Sequence, residues 1–379
     1  MVRVVCTGIG ITTSIGAGKD GFWQGVLQHK CGAQPLIRIN ENNFSKKYAY
    51  EISEDFVKEK ELGRASALAL YTVGEAITDA RLISLDNVPL IIGTGLCDFK
   101  AYEDSVLTNE YFNCESIATN LNRYLNNTGF SLTISTGCAA GNYAIGYAYD
   151  LIKSGQVEVA VAGGSECLAN VMFGILDRVN PAEPTCCQPF NAQRKGVLLG
   201  EGSAFLILES IDSAKIRKTK IYGEVFGYGL SCDAGHPTAP DKMGLVEAMN
   251  KALNDSGCKP EEIDYIAMHG TGTVLNDITE TAAVKDVFGS HSYKLATSSI
   301  KGMVGHTGGA SGAVSTAATF LAMEKEIIPP TIGLTQPDPL CDLDYTPNKC
   351  RGHVVNKALI NAFGFGGNNC CIVVGRYRG

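Results

Sequence analysis

Charge is scarce in this 379-residue chain: Asp, Glu, Lys and Arg together make up 19% of it, against 45% hydrophobic residues. That balance excludes a disordered chain, which cannot bury enough apolar surface to offset its ordering entropy. The 32 Lys and Arg are outnumbered by 39 Asp and Glu, giving a net charge of −7, so there is no basic footprint for nucleic acid. Paired C-x-x-C spacing is missing, which argues against a zinc site, and 14 cysteines scattered over this length do not form a disulfide framework. Most read as small buried hydrophobes in a reducing compartment. The apolar run Val2–Cys6 is too short, and broken too soon by glycine, for a signal peptide; the expected location is the cytoplasm. The uncharged stretch Gly302 to Met323 is dominated by Gly, Ala, Ser and Thr, whereas a membrane span needs about 20 predominantly apolar residues. It reads as a buried, closely packed helix.

What is abundant is glycine, 43 residues without a G-x-y period, pointing to tight turns and close backbone contacts. Short apolar runs leading into glycines predict strands at Val2–Cys6, Val88–Ile92, Ser131–Ser135, Val157–Ala162, Ile221–Tyr228 and Tyr265–Met268. Helical spacing covers residues 17–30, 64–81, Ala139–Ser154 and Gly244–Ser256, while Lys100 to Asn127 is mixed and gives no clear element. Ala76-Ile-Thr-Asp79 followed by Ile91-Ile-Gly-Thr-Gly95 is matched by Ala252-Leu-Asn-Asp255 followed by Met268-His-Gly-Thr-Gly272. Helix, strand and G-T-G, once in each half, predict an α/β fold of two pseudo-repeated units. No Pro- or Ser-rich linker separates them, so the halves are expected to be tightly fused.

Cys138 stands out among the cysteines because Ile134-Ser-Thr-Gly-Cys-Ala-Ala-Gly141 sets it where a strand turns into a helix. Backbone N–H groups and the positive helix end favour thiolate at such a place. Of six histidines, His269 opens His-Gly-Thr-Gly-Thr273 at the carboxyl end of a strand, where α/β proteins bind ligands, and His306 sits in Ser298-Ser-Ile-Lys-Gly-Met-Val-Gly-His306. His236 falls in a loop that could line a channel, and His29, His291 and His353 have polar, surface-like surroundings. Lys301, in otherwise uncharged sequence, needs a partner or an anionic ligand, because an unpaired buried ammonium is costly; Glu280 and Asp277 are candidate partners. Gly8-Ile-Gly10 lacks the third glycine of a dinucleotide loop and Gly16-Ala-Gly-Lys19 lacks the spacing of a phosphate loop, so neither supports a nucleotide.

Taken together, S-T-G-C-A-A-G at Cys138, H-G-T-G-T at His269, S-S-I-K-G-M-V-G-H with Lys301 and His306, and Asn361-Ala-Phe-Gly-Phe-Gly-Gly-Asn368 resemble the elongating, Cys-His-His class of β-ketoacyl-[acyl-carrier-protein] synthases. Ala162-Gly-Gly-Ser-Glu166, the stretch from Gln188 to Gly202 and Gly229-Leu-Ser-Cys-Asp233 add to the resemblance, in the family's order. It implies a thiolase-like fold, layered α-β-α-β-α, with halves at 1–210 and 211–379. It also implies decarboxylative condensation of an acyl group, held on Cys138, with a malonyl group on acyl carrier protein. His269, His306 and Lys301 would complete the catalytic set. Backbone N–H groups of Cys138 and Phe365 would form the oxyanion hole, and Phe365 would gate an acyl tunnel. Thr271, Thr273 and Thr238 would hold the phosphopantetheine arm, with Arg194 and Lys195 facing the carrier protein. No metal or separate cofactor is implied; the chain would pair with itself or with a homologous chain-length subunit, in fatty-acid or type II polyketide synthesis. A thiolase using Cys370 or Cys371, or a non-catalytic subunit, is the rival within the fold. The chain departs from the resemblance at Ser315, where a glutamate partner of Lys301 is usual, at Val274, and in shortened segments before Arg64 and between Gly95 and Ser131.

Overall fold

The computed structural model describes residues 2–54, 62–108, 115–180 and 182–379. Ten strands form its main sheet: β1 (Val4–Thr13), β2 (Leu90–Gly93), β3 (Ser131–Ile134), β4 (Val159–Glu166), β5 (Gly202–Ser210), β6 (Gly223–Cys232), β7 (Tyr265–Ala267), β8 (Ala296–Ser298), β9 (Lys357–Phe363) and β10 (Asn368–Gly375). The helices are α1 (Gly18–Leu27), α2 (Arg64–Ala80), α3 (Phe99–Thr108), α4 (Ser116–Leu125), α5 (Ala140–Lys153), α6 (Asn170–Val179), α7 (Ile211–Arg217), α8 (Lys242–Ser256), α9 (Val274–Phe288), α10 (Lys301–Val304) and α11 (Ser311–Lys325).

Strand order is β8-β7-β9-β10-β6-β1-β5-β4-β2-β3. The first five strands and the last five follow one plan, in which β1-β5-β4-β2-β3 becomes β6-β10-β9-β7-β8. Even the strand directions repeat: β1–β5 and β6–β10 are antiparallel, as are β4–β5 and β9–β10, while β2 and β7 each lie between two parallel neighbours. A short antiparallel ladder, Val4–Cys6 against Gly223–Val225, joins the two five-strand groups. The repeat in the sequence is therefore a repeat of topology.

Layering follows from which helix faces are apolar. Helix α11 is buried from Ser311 through Met323, and small residues let it lie against α5 between the two strand groups. A Cβ at Gly141 would stand 2.7 Å from the Ala313 nitrogen, which measures how close these helices come. Ile145, Ala148 and Ile152 of α5 join Ala317, Phe320 and Leu321 of α11 in the largest core cluster. On the outside, α2 and α4 cover the first strand group through Leu68, Val73, Ile117 and Leu121, and α8 and α9 cover the second through Leu245, Met249, Ala283 and Val284. The result is the layered α-β-α-β-α arrangement.

Two sequence expectations fail for one physical reason. Strand β1 does not turn out at Gly8-Ile-Gly10 but runs through to Thr13, and β4 runs through Gly163-Gly164 to Glu166. These glycines are places of close approach: a Cβ would lie 2.3 Å from the Ala76 carbonyl oxygen at Gly8, 1.9 Å from that of Thr72 at Gly10, and 2.0 Å from that of Ala204 at Gly163. Glycine inside a strand can mark a packing neighbour as well as a bend. The stretch from Gly302 to Met323 is also not one helix; α10 stops at Val304, and the chain turns through Gly305 (φ 70°) and Gly308 (φ 49°) before α11 begins. Lys100 to Asn127, without a clear sequence signal, contains α3 and α4; residues 109–114 lie outside the described residues.

Candidate active site

The carboxyl ends of β3, β7 and β8 bring the chemistry-bearing residues to one cavity. After β3, Gly137 takes a left-handed φ of 59°, and Cys138 lies in a single 3-10 turn ahead of α5. His269 follows β7, 2% exposed; His306 lies in the turn between α10 and α11, 7% exposed. Cys138, His269 and His306 line the cavity together with Thr238, Thr271, Thr273 and Phe365. His236 lines it too, its Nδ1 accepting from the N–H groups of Thr238 and Ala239 at 3.1 and 2.9 Å. A second, inner cavity of about 200 Å³ shares Cys138, His306 and Phe365 with the first. It is several times the roughly 30 Å³ that one water occupies in the liquid, and Leu96, Leu168, Met172 and Leu199 make its wall largely apolar. Phe365 is one of six residues that line both cavities, in a turn whose Gly366 has φ 79° and whose Gly366 N–H donates to the Pro237 carbonyl at 2.9 Å.

The two imidazoles meet edge to face, with centroids 5.4 Å apart, and both are neutral. Burial, with Lys301 nearby, lowers His306 to about 3 and takes His269 well below the ordinary histidine range. Their tautomers follow from their neighbours. The Gly308 N–H donates to His306 Nδ1 at 3.1 Å, with the Ser311 hydroxyl on the same nitrogen at 3.1 Å. Lys301 Nζ is 3.4 Å from His269 Nδ1 and donates to the His269 carbonyl at 2.6 Å; an ammonium can only donate. Both rings thus carry their proton on Nε2.

Lys301 is itself 3% exposed, and burial lowers it. Neither candidate carboxylate bonds directly to its Nζ among the described residues. Glu280 accepts from the His269 and Gly270 N–H groups at 2.7 and 2.8 Å and from Asn361 Nδ2 at 3.0 Å, so it acts on Lys301 only through space. Asp277 accepts from Phe190 N–H at 2.8 Å and Gly272 N–H at 3.2 Å, and pairs with Arg194 at 3.4 Å. Both acids are spent on holding the His-Gly-Thr-Gly-Thr turn, where the Thr271 and Thr273 hydroxyls are 2.9 Å apart.

Two sequence expectations need correction here. Arg194 does not face a carrier protein: its side chain is 1% exposed, pairs with Asp338 at 2.7 Å, and donates to the carbonyls of Asn191, Thr273 and Val274. It fastens the start of α9, a role hidden in sequence because most of its partners are 79 to 144 positions away. Lys195, beside it, is exposed. The helix start also does not give Cys138 a lowered thiol. Although part of the residue borders the cavity, burial raises it, against opposing pulls from Lys301 and from the N–H groups of Phe365 and of Cys138 itself. Glu166, which in the sequence is only the last letter of Ala-Gly-Gly-Ser-Glu, is a buried carboxylate on the wall of the inner cavity, which burial raises to about 7.

Known proteins identify the family. The family model described as Beta-ketoacyl synthase, N-terminal domain, matches residues 1–214, and Beta-ketoacyl synthase, C-terminal domain, matches residues 222–335. A Synechocystis protein named 3-oxoacyl-[acyl-carrier-protein] synthase 2 is 38% identical over 411 aligned positions, covering 99% of this chain and 98% of the relative. Among solved structures, the ishigamide ketosynthase/chain length factor has 35% identity and a TM-score of 0.94, covering 100% of both chains. A type II PKS acyl-carrier protein in complex with its ketosynthase, bound to the hexaketide, gives 30% identity and a TM-score of 0.90, covering 99% of this chain and 100% of that one. With both halves matched and relatives alike along their full length, the chain belongs to the β-ketoacyl synthase family.

Proposed function

We propose that the chain is a β-ketoacyl-[acyl-carrier-protein] synthase that joins an acyl group, held as a thioester on Cys138, to a malonyl group with loss of carbon dioxide. The observation that carries this reading is the convergence on one cavity of the Cys138 thiol and two neutral imidazoles, each with its proton on Nε2. The Cys138 sulfur gives up its proton and attacks the acyl-carrier thioester; the carrier thiol leaves with a proton, and the acyl group stays on Cys138. Splitting the reaction this way replaces one hard step with two easier ones. Malonyl thioester then takes the carrier's place. Its carbon–carboxylate bond breaks, carbon dioxide departs, and the electron pair forms an enolate whose oxygen accepts from His269 and His306. That carbon attacks the acyl carbonyl. The developing oxyanion is met by the N–H groups of Cys138 and Phe365, and the sulfur leaves with the electron pair of the broken C–S bond. Fixed donors aimed at developing charge need no reorganisation during the step.

Neutral imidazoles suit this role because a donor to an enolate must not give its proton up to the enolate, as an imidazolium would. Thr238, Thr271 and Thr273, which line the outer cavity, would bond the amides of a phosphopantetheine arm, and acyl carrier protein is the partner that brings it. A thiolase reading is less well supported, since Cys370 and Cys371 are fully buried in β10 and line neither cavity. Whether the chain works as a homodimer or beside a chain-length subunit is a second question. The likeness to the ishigamide ketosynthase/chain length factor favours the paired form in a specialised polyketide or polyene pathway; the Synechocystis relative favours fatty-acid elongation. Purified chain, alone and with candidate partner subunits, is given acyl- and malonyl-acyl carrier protein of varied chain length. A 3-oxoacyl product two carbons longer, with matching carbon dioxide, is expected; no product from any pairing would overturn the reading.

A further inference from the structure

On the walls of the two cavities the condensation scheme leaves one buried acid unused. Glu166 closes β4 at the wall of the inner cavity, 6% exposed, and among the described residues no cation pairs with it. Four donors saturate it instead. Oε1 accepts from the Thr94 hydroxyl at 3.4 Å and the Leu96 N–H at 3.1 Å; Oε2 accepts from the Gly95 N–H at 2.5 Å and the Gly309 N–H at 2.8 Å. Three donors belong to the turn after β2, in the first half of the chain, and the fourth belongs to the turn before α11, in the second. Each side leads to a reactive group. The Gly95 carbonyl accepts from the Ser135 hydroxyl at 3.1 Å, three residues ahead of Cys138. Gly309 follows Gly308, whose N–H fixes the His306 ring. The carboxylate also dictates glycine around it: a Cβ would stand 2.7 Å from Glu166 Oε2 at Gly95 and 2.7 Å from Glu166 Cγ at Gly308.

We propose that Glu166 is a positioning residue, whose carboxylate ties the turn after β2, which holds Ser135 ahead of Cys138, to the turn before α11 that mounts His306, and so fixes the distance between the acylated sulfur and the decarboxylating imidazole. The assignment rests on the condensation reading above. Acyl loading needs Cys138 alone, whereas condensation needs both turns in register. A carboxylate is required because all four groups donate; glutamine at 166 would set its own NH₂ against two of them in either orientation. The charge has a second, independent consequence. Cys138 is faced by Glu166, which raises its thiol, by Lys301 and the N–H groups of Phe365 and Cys138, which lower it, and by the two uncharged histidines. Removing the Glu166 charge must therefore lower the thiol.

The test compares wild type, Glu166→Gln and Glu166→Asp in three assays: acyl loading from acyl carrier protein, condensation with malonyl-acyl carrier protein, and the pH profile of Cys138 alkylation by iodoacetamide. Condensation is expected to fall at least tenfold in both variants while loading stays within threefold. Only Glu166→Gln, which loses the charge, moves the alkylation profile to lower pH. Loading and condensation falling together would mark a merely structural residue, and an unmoved profile in Glu166→Gln, or condensation near wild type, would equally overturn the proposal. If Glu166→Gln does not fold, Glu166→Asp decides through its loading-to-condensation ratio. Wild type that neither loads nor condenses would break the condensation reading, while the alkylation profiles, which need no substrate, would still judge the influence of Glu166 on Cys138.

Discussion

At the start of α5 the chain reads Thr136-Gly137-Cys138-Ala139-Ala140-Gly141, and at the start of α11 it reads Thr307-Gly308-Gly309-Ala310-Ser311-Gly312. The backbones match as well as the letters. Thr136 and Thr307 have ψ of 40° and 36°, Gly137 and Gly308 have φ of 59° and 49°, and each pair leads through one 3-10 turn into a helix. Gly141 and Gly312 let the two helices touch, their missing Cβ atoms lying 2.7 Å from Ala313 N and 2.5 Å from Asn142 Oδ1. The difference is at the third position. Cys138 borders two cavities, whereas a Cβ at Gly309 would lie 2.3 Å from both Gly95 N and the Thr94 carbonyl carbon. One copy of the turn opens onto space and offers a side chain; the other is plugged by the first half and offers N–H groups, Gly308 to His306 and Gly309 to Glu166. A duplicated turn has become a nucleophile site once and a histidine mount once.

The sharpest way to break this contrast is to add a methyl group to each copy. Gly309→Ala forces backbone apart and is expected to cost about 3 kcal/mol, at the upper end for overpacking. Gly137→Ala, whose Cβ would meet nothing nearer than the Phe365 carbonyl oxygen at 3.8 Å, carries only the left-handed backbone penalty of about 1–2 kcal/mol. Urea unfolding of both variants checks the order, and equal losses would dissolve the comparison.

A smaller effect separates the copies by pH. His306 titrates near 3 in the folded chain because burial opposes its charge, and at about 6.5 when unfolded. As pH falls below the unfolded value the unfolded chain takes up the proton first, so this residue subtracts stability progressively down to about 3. His306→Gln removes that loss. Relative to wild type, the variant should gain up to about 2 kcal/mol on going from about pH 7.5 to about pH 5, because one proton bound only by the unfolded chain is worth about 1.4 kcal/mol for each pH step of one. Parallel pH curves for the two proteins would contradict a neutral, buried His306. Smallest of all is Ser311→Ala, which turns the second copy toward its Ala140 counterpart. It deletes a hydroxyl bond worth about 1 kcal/mol to His306 Nδ1 but leaves the Gly308 N–H in place, so condensation should fall less than tenfold with the pH profile unchanged.

The helices at 64–81, Ala139–Ser154 and Gly244–Ser256 were legible because apolar spacing is a local signal, sharpened for the last two by a following glycine; the structure has them at Arg64–Ala80, Ala140–Lys153 and Lys242–Ser256. Cys138, His269 and His306 were legible as candidates through the glycine-rich turns around them, and they meet in one cavity. What stayed hidden was set by distant partners. Gly8 and Gly163 look like turn glycines until the helix or strand packed on them is known. Arg194 looks like a surface cation beside Lys195 until Asp277 and Asp338 are brought to it. The Cys138 thiol looks lowered by its helix until burial is counted, and Glu166 is one letter in a motif until four donors close around it.

The central claim is that one half of the chain carries the acyl group while the other activates the malonyl group. Intact-protein mass spectrometry of wild type, Cys138→Ala, His269→Ala and His306→Ala, given acyl carrier protein loaded with an acyl chain and then malonyl-acyl carrier protein, tests it most directly. Wild type should gain the acyl mass and lose it as product forms; both histidine variants should gain the mass and keep it; Cys138→Ala should never gain it. Acyl mass on Cys138→Ala, or product at the wild-type rate from either histidine variant, would contradict the account.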